Sequence, residues 1–317
     1  MIPPDLLATI RKERPRLSSL RLIEDPAGLA IAFGSAKPSR PIMRGLSDLA
    51  GRLAWMDKQG IDKQVNGGWP DWFGSDLSPA DGVAWCKIMN EGLLSAARSE
   101  PRLVPLATLP MQDGASAAAV LKEAMAAGFR GAMISTLPRG IGSVLDAPDL
   151  DPFWKAADDT GAVIHIHPAF DAGESRVHDY GLANGVGRVS DAIVAVSRLA
   201  MSGHITRYGN AKVFVPIAAG GLPLVVGRLK RNHAITPGTS DPAEALSLMY
   251  TDTIEHDPRV LRFVIEMMGA DRVMLGSDMP FPIGDHEPMM IVRNAGLKPD
   301  QVDAISGGTA QKLFRIN

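Results

Sequence analysis

From about residue 100 onward, short β-branched and apolar runs alternate with longer stretches at helical period. This alternation restricts the chain to strands laid parallel with helices between them. The runs at 103–109, 131–135, 162–167, 213–217, 248–253 and 272–276 are continuous and apolar enough to be buried on both faces, as strands of a parallel sheet are. Helical stretches at 115–127 and 151–160 stop at Gly128 and Gly161, where a left-handed cap suits glycine, and another at 258–268 precedes the last strand. Upstream, Leu46, Leu49, Leu53 and Met56 mark a helix over 46–58, and a strand over 60–65 follows it. That makes seven strands, whereas a closed (β/α)8 barrel has eight. The segment before residue 46 offers only a helix near 4–12 and a hairpin, 20–23 with 29–33, around Pro26, Ala27 and Gly28. The sequence therefore predicts an α/β chain of the TIM-barrel type without its first strand. It reads as one domain over 1–317 with an N-terminal insertion around 13–45. The connection over 67–79, rich in Trp, Gly, Asp and Pro, has the length at which loops tend to be functional.

Charge narrows the partners. Lys and Arg total 33 against 35 Asp and Glu, a net charge of −2, which gives no basic footprint for nucleic acid or an anionic membrane. No run of 18 apolar residues occurs, so no transmembrane helix is predicted. The N-terminus lacks a charged segment followed by an apolar one, so no secretory signal is predicted. The lone Cys86 excludes an intrachain disulfide and fits a reducing compartment, so the expected location is the cytoplasm and the expected partner a small molecule.

In a barrel of this kind chemistry sits at the C-terminal ends of the strands. His165 and His167, two apart on the strand that ends at Pro168, point to one side and could chelate a metal, or one could simply hydrogen-bond in the core. Asp278, two residues beyond the last strand, could be a ligand or a general base, or a turn aspartate. The glycine turn over 217–223 lacks the spacing and the Lys-Ser/Thr of a phosphate loop. Arg228 could clamp a carboxylate or lie on a solvated helix face, and His256 follows a strand end where a loop hydrogen bond is its plainer role.

Taken in order, Met56 to Ile61, Asn90-Glu91-Gly92, Pro101-Arg102, Leu109-Pro110, Gly128-Phe129-Arg130-Gly131, His165 to Pro168, Gly227-Arg228, Tyr250 to Thr253 and Gly276 to Pro280 resemble the amidohydrolase-related family. That family includes aminocarboxymuconate-semialdehyde decarboxylase, resorcylate-type decarboxylases and related hydratases. The resemblance implies a (β/α)8 barrel with a divalent metal, usually zinc. Its ligands come from a first-strand Asp-x-His-x-His, a His-Pro and the Asp of Gly-Ser-Asp. His167 and Asp278 match two of these ligands, and His165 is a further candidate. Two departures stand out. The first-strand motif is absent, and Ile217 stands where the family has the histidine that activates metal-bound water.

The resemblance implies a carbon–carbon lyase acting on a small unsaturated or aromatic carboxylate. In that reading Asp278 and His167 do the acid/base work, Arg228 and Arg44 clamp the carboxylate, and His256 lies in reach. It also implies at least a dimer, with Arg228 reaching a neighbouring subunit's site. Hydrolysis or hydration on the same scaffold is the alternative, as is a non-catalytic barrel that has lost its metal.

Overall fold

The computed structural model describes the chain apart from Pro4, Ser18, Ala27, Ser35 and Asn317. Pro4 and Ala27, which the sequence assigns to a helix start and a hairpin turn, lie outside the described residues. Strands β1 (Leu20–Asp25) and β2 (Gly28–Phe33) pair antiparallel as the anticipated hairpin, after a helix at Leu6–Glu13.

The remaining strands are parallel neighbours in chain order. β3 (Gln64–Asn66) pairs with β4 (Leu103–Pro105), and β5 (Ala107–Thr108) continues the same run into a sheet with β6 (Gly131–Ser135), β7 (Val163–His167) and β8 (Lys212–Phe214). A bridge from Phe214 to Tyr250 leads to β9 (Thr251–Asp252), which pairs with β10 (Val273–Met274). All seven expected parallel runs are present. Among the described residues, β10 and β3 share no ladder, so the barrel is open between them.

Period-two alternation builds two layers of core. Val163, Phe214 and Met274 face inward with Leu106 and Met133, beside Leu313 and Phe314 from the C-terminal helix. Ala132, Ile134, Ile164, Ile166 and Val213 face outward to the surrounding helices. A third cluster joins the hairpin to the connection over 67–79. Phe33 meets Trp85 edge-on with ring centroids 5.2 Å apart, and Trp85 donates from Nε1 to the Trp72 carbonyl at 2.7 Å. An unpaired strand edge calls for cover, and the hairpin is the nearest candidate in the sequence. It lies instead over the tryptophans, because Leu20, Ile31 and Phe33 are the apolar face that buries them.

Several boundaries differ from the sequence reading. The strand expected over 60–65 begins only at Gln64, since Gly60 turns left-handed to cap the helix Leu49–Gln59. The strand expected over 213–217 ends at Phe214, and Ile217 lies in a turn. Gly128 and Gly161 both cap their helices at positive φ, as anticipated.

Gly131 opens β6 at φ 155°, and a Cβ there would sit 1.9 Å from the Val163 carbonyl oxygen, whereas one on Gly128 would meet nothing within 4 Å. Gly131→Ala should therefore cost about 3 kcal/mol or more, the upper end of overpacking, since backbone cannot give way as a side chain can. Gly128→Ala should cost only the ~1–2 kcal/mol of left-handed backbone. Urea titration of the two variants checks the contrast.

Candidate active site

The strand ends open into a cavity of about 970 Å³ that continues down the gap between β3 and β10. At its mouth lie His165, His167, Arg188, Ile217, Asp252 and Asp278; Met274, Phe314 and Ile316 line it deeper down. The seat of each residue follows from local geometry. On β7, Ile164 and Ile166 are buried toward the helices, which turns His165 and His167 together toward the cavity. Asp278 follows β10 in a left-handed turn, φ 51°, just before Pro280.

Burial governs the charges here. The His167 Nδ1–H donates to the Pro168 carbonyl at 2.7 Å, which leaves Nε2 as the free lone pair. Burial, reinforced by the Arg188 charge, pushes the His167 pKa down to about 4. His165 is held well below the usual histidine range by burial and by His167, and among the described residues its buried Nε2 has no partner. Its ring lies 4.4 Å from Phe214 and 6.0 Å from His167. Both imidazoles are thus neutral near pH 7. Asp278 is pushed up to about 6 by burial, against the pull of Arg188, His256 and Arg40.

A wall of the cavity is made by an unusual turn. Ile217, Ala218 and Ala219 all adopt left-handed φ, between 52° and 57°. Non-glycine residues pay roughly 1–2 kcal/mol each in that region. Side chains on and after β9 hold them there: the Ile217 N–H donates to Asp252 at 3.0 Å, that of Ala218 to Glu255 at 3.1 Å and that of Ala219 to Thr251 at 2.7 Å. Asp252 also accepts from the Ile254 N–H at 3.3 Å, and burial lifts its pKa to about 6. The sequence reading missed Asp252 and Glu255. The short Tyr-Thr-Asp-Thr run was the available signal, but their partners lie 32 to 37 residues away.

The other predicted residues lie elsewhere. Arg228, on the helix Leu222–His233, and Arg44 are exposed and do not line the cavity. His256 is also outside its lining, although its charge reaches Asp278. Arg40, which sequence reasoning passed over, pairs in bidentate fashion with Asp71 at 2.7 and 2.9 Å. Among the described residues no three of His, Cys, Asp and Glu are grouped closely enough to hold a metal ion. His167 Nε2 and the Asp278 carboxylate are suitable donors, yet two fall short of the three protein ligands that zinc sites use. The residues present thus do not form a metal site.

Glu255 gives the turn a pH signature. Burial lifts its pKa from the ordinary 4.5 to about 8, and among the described residues its buried Oε2 has no partner. The folded carboxyl holds its proton more tightly than the unfolded one, so its ionisation destabilises the fold increasingly from about pH 4.5 and fully above about pH 8. Glu255→Gln keeps an acceptor for Ala218. It should leave the Tm unchanged near pH 4.5 and raise it by about 2–4 °C at pH 8.5, read by calorimetry.

Comparison with known proteins agrees with this architecture. The chain is 27% identical over 251 residues to 2-amino-3-carboxymuconate-6-semialdehyde decarboxylase of Dictyostelium discoideum, covering 77% of this chain and 69% of the relative. It is 27% identical to gamma-resorcylate decarboxylase of Polaromonas sp., over 70% of this chain and 73% of that one. Among solved structures, Metarhizium anisopliae IDCase in its apo form superposes with a TM-score of 0.82 at 21% identity, covering 99% of this chain and 95% of that one. The 5-carboxyvanillate decarboxylase of Novosphingobium aromaticivorans, complexed with manganese and a nitrobenzoic acid, gives a TM-score of 0.76 at 21% identity over 86% and 80%. At such identities the two structures speak for the fold alone. Residues 76–316, well over half of the sequence, match the family model described as amidohydrolase, and the chain belongs to that family.

Proposed function

We propose that this protein is a decarboxylase, a carbon–carbon lyase acting on a small aromatic or conjugated carboxylate. The observation that carries the reading is the joint placement of a buried carboxyl, Asp278, and a neutral imidazole, His167, in one cavity at the strand ends. In the proposed step Asp278 delivers a proton to the carbon that bears the carboxylate. The carbon–carboxylate bond then breaks, its electron pair returns to the conjugated frame, CO2 leaves, and solvent reprotonates Asp278. The neutral His167 offers its Nε2 as an acceptor that orients the substrate. Ile217 carries no titratable group and serves as an apolar wall. The names of the curated relatives, decarboxylases of muconate and resorcylate type, support the same reaction class.

Zinc or another divalent ion in the holding role would need donors beyond His167 and Asp278, so we expect this chain to bind metal weakly and below one equivalent. A panel of aromatic and muconate-like carboxylates, followed by CO2 release with and without added zinc or manganese, tests the function. Asp278→Asn should lower turnover by at least ~100-fold, the scale of a lost general acid, whereas Ile217→Ala should alter mainly substrate preference. Unchanged turnover in Asp278→Asn would refute the assignment.

A self-association face is part of the same reading. Leu224 is 79% exposed and Ile235 76%, and Arg228 lies one turn beyond Leu224. We expect a dimer through the exposed side of the helix Leu222–His233, where Leu224 and Arg228 stand one turn apart. Light scattering should report two chains per particle at micromolar concentration, and Leu224→Asp should halve the mass. A monomeric wild type would remove the face and with it the role of Arg228.

A further inference from the structure

Arg188 lines the cavity mouth; among the described residues its buried Nε has no partner and its guanidinium makes neither a hydrogen bond nor an ion pair. Of the other arginines nearby, Arg40 is paired with Asp71, Arg52 donates to the neutral Gln64 at 2.7 Å, and Arg293 is exposed to solvent. A guanidinium withdrawn from water and left unpaired is costly, and a carboxylate matching its fork geometry is its natural partner.

The surroundings fix where that partner would sit. Phe170 carries the Arg188 guanidinium 5.2 Å and that of Arg40 4.3 Å from its ring centroid, which fixes the cation over an aromatic ring at the mouth. Arg188 follows a single π-helical turn, Ala183–Gly187, a distortion that recurs at functional sites. One turn further along, the buried Asp191 bonds Thr136 and accepts from the Ala169 N–H at 2.9 Å. This ties the helix Arg188–Met201 to the loop that follows His167. The cation is therefore held on a rigid element, and its charge is felt by both His167 and Asp278.

The carboxylate it receives should be one the substrate keeps. An Arg–carboxylate pair stabilises the ground state and would have to break as CO2 forms, so an arginine on the departing group opposes the reaction. A departing carboxylate is better placed against apolar surface such as Ile217 and Phe214, which also line the cavity. We propose that Arg188 is a specificity-determining residue that anchors a second, retained carboxylate, so that the substrates are aromatic or conjugated dicarboxylates. The proposal deepens the decarboxylase reading and rests on it for the chemistry, though not for the binding.

Isothermal titration with isophthalate and with benzamide, which carries no carboxylate, separates the two ideas, since neither ligand needs to react. The folded wild type should bind isophthalate at least about tenfold more tightly than benzamide, the scale of one charge-assisted bidentate contact. Arg188→Gln should bring that ratio close to one with benzamide affinity unchanged. Arg188→Lys, which keeps the charge and loses the fork, should fall between and serves also should the glutamine variant not fold. With a reactive dicarboxylate, Arg188→Gln should raise KM about tenfold and change kcat by less than about threefold. A wild type that does not prefer isophthalate, or a preference that survives both substitutions, would overturn the proposal. Isophthalate preference lost in Arg188→Gln, without CO2 release from any substrate, would uphold the anchor and count against the decarboxylase reading alone.

Discussion

The unpaired edges of β3 and β10 set the character of the whole interior. A fully closed eight-stranded barrel fills its centre with stacked layers of side chains. Here the inward layer of Leu106, Met133, Val163, Phe214 and Met274 is complete only on the side where the ladder runs on. Facing the gap, the space stays open as a cavity of about 970 Å³, with Phe314 and Ile316 of the C-terminal segment along it. A site at the mouth thus continues into a depth that a packed barrel would occupy. Along the same side Arg52 donates to the Oε1 of Gln64 at 2.7 Å, which gives its buried guanidinium a neutral acceptor.

The second constraint is the left-handed turn at 217–219. Three consecutive strained residues persist only where the surroundings over-determine them. Three acceptors from 251–255 do so, and the cost passes from backbone torsion to electrostatics, because two of the acceptors are buried carboxyls. Asp252 and Glu255 are raised by burial and further by charge, Asp278 acting on Asp252 and Asp252 on Glu255. The turn, the acidic group behind it and the candidate general acid are one coupled unit. A change at 252 would therefore alter the shape of the wall and the titration of Asp278 together.

Which parts of this were legible in the sequence follows from the range of the interactions. The helices Asp151–Thr160 and Pro258–Met268 and the strand Gly131–Ser135 fall where the sequence places them, because their signals are local: periodicity, a glycine cap, a proline at the start. His165 and His167 share a face for the same reason, a spacing of two on a strand. Arg188 was not legible. Its neighbours in sequence, Gly187 and Val189, say nothing of Phe170, and its significance arises from the partner it lacks. Arg228 was singled out by residue type and by resemblance, and Arg44 by resemblance; both lie on the surface of this chain. The Ile217 turn was hidden too, since nothing in Pro-Ile-Ala-Ala-Gly-Gly announces three left-handed residues without the acceptors that hold them.

The charge balance of the mouth then decides what kind of ligand it suits. Arg40 and Asp71 cancel as a bidentate pair, and the two buried histidines are neutral. Asp252 and Asp278, each raised to about 6, bring negative charge only at the expense of burying it. A ligand bearing no charge would leave the buried Arg188 Nε still without a partner among the described residues. A single carboxylate can satisfy either the guanidinium or the apolar wall, and a group held firmly by arginine is not one that departs easily. Two carboxylates resolve the conflict, one fixed by charge and one desolvated. The rigid frame that separates the two positions, Asp191 bracing the helix and Asp252 bracing the turn, is what lets both be met in one binding pose.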